Sequence, residues 1–268
     1  METLHETLEK NKKQKEFYNT KKKSIPSKIW SFVREKSLKN IRKELGILQQ
    51  SYALHKEWMG DLSQVKVLDL GCYSGNNLSR YLAENSKEYI GIDLSELAIA
   101  KLNEKLKNIP TAKAVSMDFF SDDFTEKNFD LIYAYGVLHH FKNVDNLIQK
   151  LDEKLAPGGK IISYDPMETS RPIWFIRKLY RPFQSDAAWE WPFSRKTIRK
   201  FENEFEIVET RGVLGKSKWY FLVSFLPISK EAKLKWGKKA HQKDWEKSAT
   251  SKSHLHKCMQ LNMLMQKK

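Results

Sequence analysis

Cysteine is nearly absent from this 268-residue chain, with only Cys72 and Cys258 present. The two lie far apart in segments of regular hydrophobic patterning, which argues against a disulfide framework and for free thiols in a reducing compartment. Long hydrophobic runs are missing as well: the longest, Trp219 to Pro227, is far shorter than the roughly 20 residues of a membrane-spanning helix. Residues 1–23 contain no apolar stretch and mix acids with their lysines, unlike a signal peptide or a transit leader, so a cytoplasmic protein is expected. Neither G-x-G-x-x-G nor G-x-x-x-x-G-K occurs, which removes the usual signatures of dinucleotide and nucleotide-phosphate binding.

What is abundant is positive charge, a formal +15. Such an excess points to nucleic acid when the cations lie on the ligand-bearing part of the chain, and here they do not. Residues 1–43 carry 13 basic and 5 acidic side chains and residues 228–268 carry 11 and 3, whereas residues 61–165 carry 12 against 16. Basic ends of this kind either hold an anionic partner, such as RNA, phospholipid headgroups or a nucleotide-linked substrate, or simply form a solvated surface. The sequence leaves both open.

The length suits one α/β domain with decorations and a large buried core. Ile41, Leu45, Leu48 and Tyr52 recur at helical spacing and predict one or two helices before the core, interrupted at Gly46. Residues 1–60 are therefore read as a basic arm, frayed or mobile over 1–23, followed by N-terminal helices; residues 61–268 form the main domain. From Val65 onward strands at 65–70, 88–92, 111–116, 129–133 and 160–164 alternate with helices at 76–84, after Ser95 and from Asn143, the last stopped by Pro157-Gly158-Gly159. This alternation predicts the α/β class, a doubly wound and mainly parallel sheet covered on both faces, with ligands at the carboxyl ends of its strands. Past Asp165 it lapses into two insertions, at about 166–192 and 212–254, separated by a helix over 193–202 and a strand over 205–210. Residues 255–265 are expected to close the sheet.

The most informative stretch is Val67-Leu-Asp69-Leu-Gly71-Cys72-Tyr73-Ser-Gly75-Asn76, where glycines between a strand and a helix allow close approach of a ligand to the backbone. It resembles the first motif of the class I S-adenosylmethionine-dependent methyltransferases, V-L-D-L-G-C-G-x-G, with Tyr73 in place of the middle glycine. The likeness runs from about Val65 to Asp165. Asp93 ends the second strand 24 positions after Asp69, close to the spacing of about 20 for ribose-binding acids in related folds. Phe129-Asp-Leu-Ile-Tyr-Ala-Tyr135-Gly136-Val-Leu-His139-His140 and Leu155-Ala-Pro-Gly-Gly-Lys160 resemble the family's fourth strand and its following turn. Four motifs in order and spacing make the resemblance specific.

The resemblance implies a seven-stranded Rossmann-like core with S-adenosyl-L-methionine as cofactor. It implies that Gly71, Cys72, Tyr73 and Gly75 cradle the methionine part, with Asp69 supporting the loop near the ammonium group. Asp93, with Leu94 beside it, would bind the ribose hydroxyls; Asp118 would meet the adenine amine, with Met117 or Phe119 on the purine; Tyr135 would lie at the site. The Tyr73 ring is expected to point out over the site while its backbone serves. Cys72 reads as a small residue in a tight turn, since no activating partner adjoins it. His139 and His140 have two open roles, as a base for a substrate hydroxyl or as residues that shape the pocket. No metal is expected.

Methyl transfer from an activated sulfonium needs alignment and exclusion of water more than a catalytic dyad, so these motifs speak to the cofactor and not to the acceptor. The Asn-Pro-Pro-Tyr motif of base-amine methyltransferases is replaced by Ala134-Tyr135-Gly136-Val137, which makes nucleic acid the less favoured partner. The Leu-His-His form resembles the small-molecule branch and implies a metabolite acceptor, anionic or lipid-linked, methylated on oxygen. In the first insertion Arg171, Arg177, Arg181, Trp174, Trp189 and Trp191 suit such an acceptor, or else pack the insertion onto the core. In the second, Trp219 to Leu226 beside a lysine-rich helix over 229–247 reads either as a peripheral membrane contact or as a buried element. An RNA methyltransferase using the basic arms and a non-catalytic cofactor-binding module are the alternatives.

Overall fold

Alternation within single strands determines how the sheet is clothed. In β1 (Lys66–Leu70) Val67 enters one hydrophobic layer while Leu68 and Leu70 enter the other, and in β2 (Glu88–Asp93) Tyr89 is divided from Ile90 and Ile92 in the same way. Both faces of these strands are therefore dry, as a sheet flanked by helices on two sides requires. The structure, a computed structural model, describes residues 6, 9, 11–16, 28, 39–184 and 187–268. With β3 (Ala112–Ser116), β4 (Phe129–Tyr135), β5 (Leu155–Pro166), β6 (Phe205–Val213) and β7 (Gln260–Lys267) the seven-stranded order is β3-β2-β1-β4-β5-β7-β6. The first five strands run parallel and β7 lies antiparallel between β5 and β6. This is a doubly wound, mainly parallel α/β sheet.

On one face α1 (Ile47–Met59), α2 (Asn77–Asn85) and α3 (Glu96–Leu106) bury Leu54, Trp58, Leu82 and Leu102. On the other lie α4 (Val144–Lys154) and, beyond α5 (Arg171–Tyr180), α6 (Arg195–Glu204), which contribute Leu147, Leu151, Ile198 and Phe201. The start of α2 is set by a reciprocal cap: Asn76 Oδ1 accepts from the N–H groups of Leu78 and Ser79, and Ser79 Oγ accepts from the N–H of Asn76. Gly46, in the left-handed region at φ 69°, separates helical residues 39–44 from α1.

Several boundaries differ from the sequence reading, among them three that strand pairing and core packing explain. Pro157-Gly158-Gly159 does not stop the fourth helix, which ends at Lys154; β5 begins at Leu155, pairs with Phe129, and then bulges through 156–159 before Lys160 pairs with Leu131. A bulge accommodates a proline and a positive-φ glycine that a regular ladder would reject. The closing strand is Gln260–Lys267 and not 255–265, because Leu255 ends a short helix and packs its side chain into the core below. Strand β6 runs on to Val213, beyond the expected 210, since Arg211, Gly212 and Val213 find partners on β7. The arm expected over residues 1–23 falls mostly outside the described residues, although 11–16 are helical.

After β6 the chain forms the short helix α7 (Tyr220–Val223) and then the long α8 (Lys230–Thr250), followed by α9 (Lys252–Leu255). The buried carboxylate of Asp244 fastens α8 to the exit of β6. It accepts from the N–H of Lys216 at 2.7 Å, from the N–H and hydroxyl of Ser217 at 2.8 and 2.7 Å, and faces His254 Nε2 at 3.1 Å. Replacing Asp244 by Ala orphans several buried donors at once. Asp244→Ala is therefore expected to cost about 3–5 kcal/mol of stability, measured by chemical denaturation, whereas Glu246→Ala on the exposed side of the same helix should change it by less than about 0.5 kcal/mol.

Candidate active site

The carboxyl ends of the parallel strands converge because each strand hands the chain to a loop on the same edge of the sheet. There Gly71 and Cys72 donate their N–H groups to the carbonyl of Ile92, and Met117 donates to the carbonyl of Asp93. The Asp93 side chain completes the junction: Oδ1 accepts from the N–H of Ser95 at 2.8 Å and Oδ2 from the N–H of Tyr73 at 3.0 Å. Burial raises its pKa and these N–H groups offset part of that rise. Asp118, also raised by burial, accepts from the N–H of Phe120 at 2.9 Å and from the side-chain amide of Asn11 at 2.8 Å.

A cavity of about 260 Å³ opens at this edge, and its wall includes Gly71, Tyr73, Asp93, Leu94, Met117, Asp118, Phe119, Tyr135 and His140. Asn11 and Gln14 close one side of it. Nothing in the sequence pattern singled out those two, because they sit in a polar, lysine-rich run whose only signal is helical register. A smaller chamber continues past His140, between Phe120 and Phe141 on one hand and Trp189 and Trp191 on the other.

Asp69, Cys72, Gly75 and His139 are brought near but stand behind the wall. Asp69 lies buried under the loop with its Oδ2 accepting from the Tyr89 hydroxyl at 2.8 Å; burial pushes its carboxyl up to about 6. The Cys72 thiol is buried and its pKa is raised by that burial, which suits packing and not nucleophilic chemistry. Gly75 turns the chain above Leu102. The strategic glycine is Gly71: at φ 69° a β-carbon there would lie 2.4 Å from Val137 Cγ2, so the side chain that forms the far wall requires its absence. Tyr73 adopts φ 48°, the left-handed region its missing glycine would have entered freely, and its side chain is 40% exposed.

The two histidines separate in role. His139 is buried, its Nδ1 2.8 Å from Asp165 Oδ1, an oxygen that also accepts its own N–H at 3.2 Å. Among the described residues Asp165 Oδ2 is buried without a hydrogen-bond partner, and desolvation pushes this carboxyl up to about 7 against the His139 N–H and the charge of His140. His140 faces the cavity. Its Nδ1 lies 2.6 Å from the Trp189 carbonyl and donates to it, which leaves Nε2 as the ring nitrogen that can take up or release a proton. Trp191 donates its N–H to the His139 carbonyl at 2.8 Å, so the first insertion is tied to the histidine turn from both sides. Tyr135 stacks on Tyr164 with ring centres 4.8 Å apart, and His55, which sequence reasoning missed, is locked beneath by Asn262 at 2.9 Å.

Residues 68–161 match the family model described as a methyltransferase domain. Over this stretch the chain carries a methyltransferase domain of the class I S-adenosylmethionine-dependent kind. A tRNA U34 carboxymethyltransferase from Pseudoalteromonas atlantica is 35% identical over 97 residues, 36% of this chain and 30% of that protein. A 24-methylenesterol C-methyltransferase 2 from Oryza sativa subsp. japonica is 26% identical over 129 residues, 46% of this chain and 36% of that protein. The chain thus matches about a third of the length of these curated relatives. The fold extends further: the N-methyltransferase NodS from Bradyrhizobium japonicum, solved with S-adenosyl-L-homocysteine, superposes with a TM-score of 0.52 at 14% identity, over 86% of this chain and 98% of that one. S-adenosylmethionine is the cofactor of the domain, and the site suits it: two half-buried acids stand at the cavity beside a glycine turn that carries no β-carbon at Gly71.

Two predictions follow from this geometry. Gly71→Ala should destabilise the loop by about 1–3 kcal/mol and abolish cofactor binding, with Val137→Ala restoring part of the loss, whereas Tyr73→Gly should leave thermal stability unchanged or raise it by up to about 1 kcal/mol. For Asp165 the folded chain keeps a proton that the unfolded chain releases above about pH 4, so stability falls as pH rises from there through about 7. Denaturation across this range should show the decline, and Asp165→Asn should flatten its upper part.

Proposed function

We propose that the protein transfers a methyl group from S-adenosylmethionine to a small-molecule acceptor, an oxygen of a polar or lipid-linked metabolite. The observation that carries this reading is the course of the cleft, which narrows past His140 into a chamber walled by Phe120, Phe141, Trp189 and Trp191. Aromatic walls of this kind stack on a slender or ring-bearing molecule and exclude bulk water, and the chamber, about 20 Å³ in this state, would widen to take one. The bound cofactor supplies an already activated methyl group on a sulfonium. Asp93 keeps acceptor capacity on both oxygens for paired hydroxyls, and Asp118 lies beside Met117 and Phe119 for a purine amine. The backbone of Gly71 and Tyr73 faces the remaining part of the cofactor. His140, with its proton held on Nδ1 by Trp189, offers Nε2 to take the proton from an acceptor hydroxyl. His139 and Asp165 pack behind it, the two imidazole rings 4.1 Å apart.

The tRNA-modifying relatives and the basic ends of the chain favour a second reading, an RNA acceptor. Incubation with methyl-labelled donor and fractionated extract separates the two: label is expected in the lipid or soluble-metabolite fraction, and label confined to RNA would transfer the assignment. Asp93→Asn removes a charged acceptor and should weaken cofactor binding about 10- to 100-fold by calorimetry. Unchanged affinity in that variant would contradict the proposed cofactor site.

A further inference from the structure

Thirteen large hydrophobic side chains are exposed among the described residues, and ten of them fall in two short segments. The first is α5, whose Ile173 faces inward while Trp174, Phe175 and Leu179 point to solvent. The second runs through α7 and the turn after it, where Phe221, Phe225 and Leu226 stand out, Phe225 at 76% exposure. Scattered exposed apolar residues are ordinary, but their concentration in two segments marks a contact surface.

Topology brings the segments together. Strand β5 ends at Pro166 and β6 at Val213, and both residues pair with Gln260 of β7 from opposite sides. The two segments therefore leave the sheet on either side of one residue. They do so at the carboxyl edge of the parallel strands, where the cofactor cavity opens.

Charge selects the partner. From Thr169 to Ser185 there are four cations, Arg171, Arg177, Lys178 and Arg181, and no acid; from Gly212 to Lys230 the exposed cations are Lys216 and Lys230, again with no acid, while Lys218 is buried against the Lys257 carbonyl. Lys178 lies over the Trp174 ring, 5.3 Å from its centre, with its ammonium at the rim of the apolar group. A second copy of this chain would set like charges against each other across a two-fold interface. Nucleic acid would engage the cations and could stack bases on the rings, but it would leave the exposed Ile176, Leu179, Leu222, Leu226 and Ile228 in water, whereas a bilayer interface covers both kinds of side chain. No helix among the described residues is long and apolar enough to cross a membrane. We propose that this edge docks on the surface of an anionic lipid bilayer, the aromatic and aliphatic side chains of α5 and of residues 219–228 entering the interface and the flanking cations meeting headgroup phosphates. This deepens the reading of a lipid-linked acceptor, since the exposed segments leave the same edge of the sheet at which the cavity opens, but the docking itself requires no methyl transfer.

The test uses the full chain and sedimented vesicles of phosphatidylcholine alone or mixed with phosphatidylglycerol. Wild type is expected to sediment with the mixed vesicles, more weakly with phosphatidylcholine, and to shift its tryptophan emission to the blue on binding. The double variants Trp174→Ser/Phe175→Ser and Phe221→Ser/Phe225→Ser alter exposed side chains, so they should keep the wild-type circular dichroism and cofactor affinity while losing vesicle affinity by at least about tenfold. Absence of binding to anionic vesicles at low salt overturns the proposal. So does undiminished binding of both variants, which would assign the attraction to the basic ends, or a wild-type dimer that the same substitutions dissociate. Vesicle binding with label appearing only in water-soluble products would refute the lipid-linked acceptor and leave the docking surface standing.

Discussion

The Asp93 carboxylate is the junction on which the working edge of this protein depends. Its two oxygens take N–H groups from Tyr73, in the loop after β1, and from Ser95, at the start of α3, while its carbonyl takes the N–H of Met117 in the loop after β3. Three separate loops are thereby referred to one residue. A carboxylate in that position is costly to bury, and the oriented N–H groups around it recover part of the cost. The same groups hold the loop after β1 in a conformation that includes a tyrosine in left-handed space. Backbone strain of that kind persists where surrounding contacts over-determine the chain.

On the other side of the cavity the constraint is steric and not electrostatic. Gly71 and Val137 occupy what would otherwise be the same space, so the loops after β1 and β4 meet in van der Waals contact at the cavity floor. From there the histidine turn carries the wall outward. The first insertion reaches it through main-chain contacts at Trp189 and Trp191, which do not depend on what those indoles stack against. The cofactor side of the cleft is thus built from the sheet edge, and the acceptor side from a decoration tied to that edge at two points.

How much of this was legible follows from the range of the forces involved. Val67, Leu68 and Leu70, or Tyr89, Ile90 and Ile92, announce a strand buried on both faces through local alternation alone, and Asn76 announces a helix start through a cap that closes within three residues. Gly71, Asp93 and Asp118 were visible through the family resemblance, and each lies at or just beyond the carboxyl end of a parallel strand. By contrast, the bulge through Pro157-Gly158-Gly159 reads locally as a helix stop, and only the pairing of Leu155 with Phe129 shows that the strand has already begun. Asn11 and Gln14, at the cavity, and His55, under Tyr133 and Tyr135, carry no local signal.

The amino-acid order by itself determined the strand and helix alternation, the doubly wound sheet and the identity of the loops at its carboxyl edge, because those depend on side-chain periodicity and backbone preferences acting over a few residues. Tertiary structure alone decided that His140 faces the cavity while His139 pairs with Asp165, and that Trp219, Phe221, Leu222, Phe225, Leu226 and Ile228 are exposed while Tyr220 between them packs into the core. Both outcomes turn on which distant segment arrives to cover a given side chain, and burial of that kind is a property of the assembled chain.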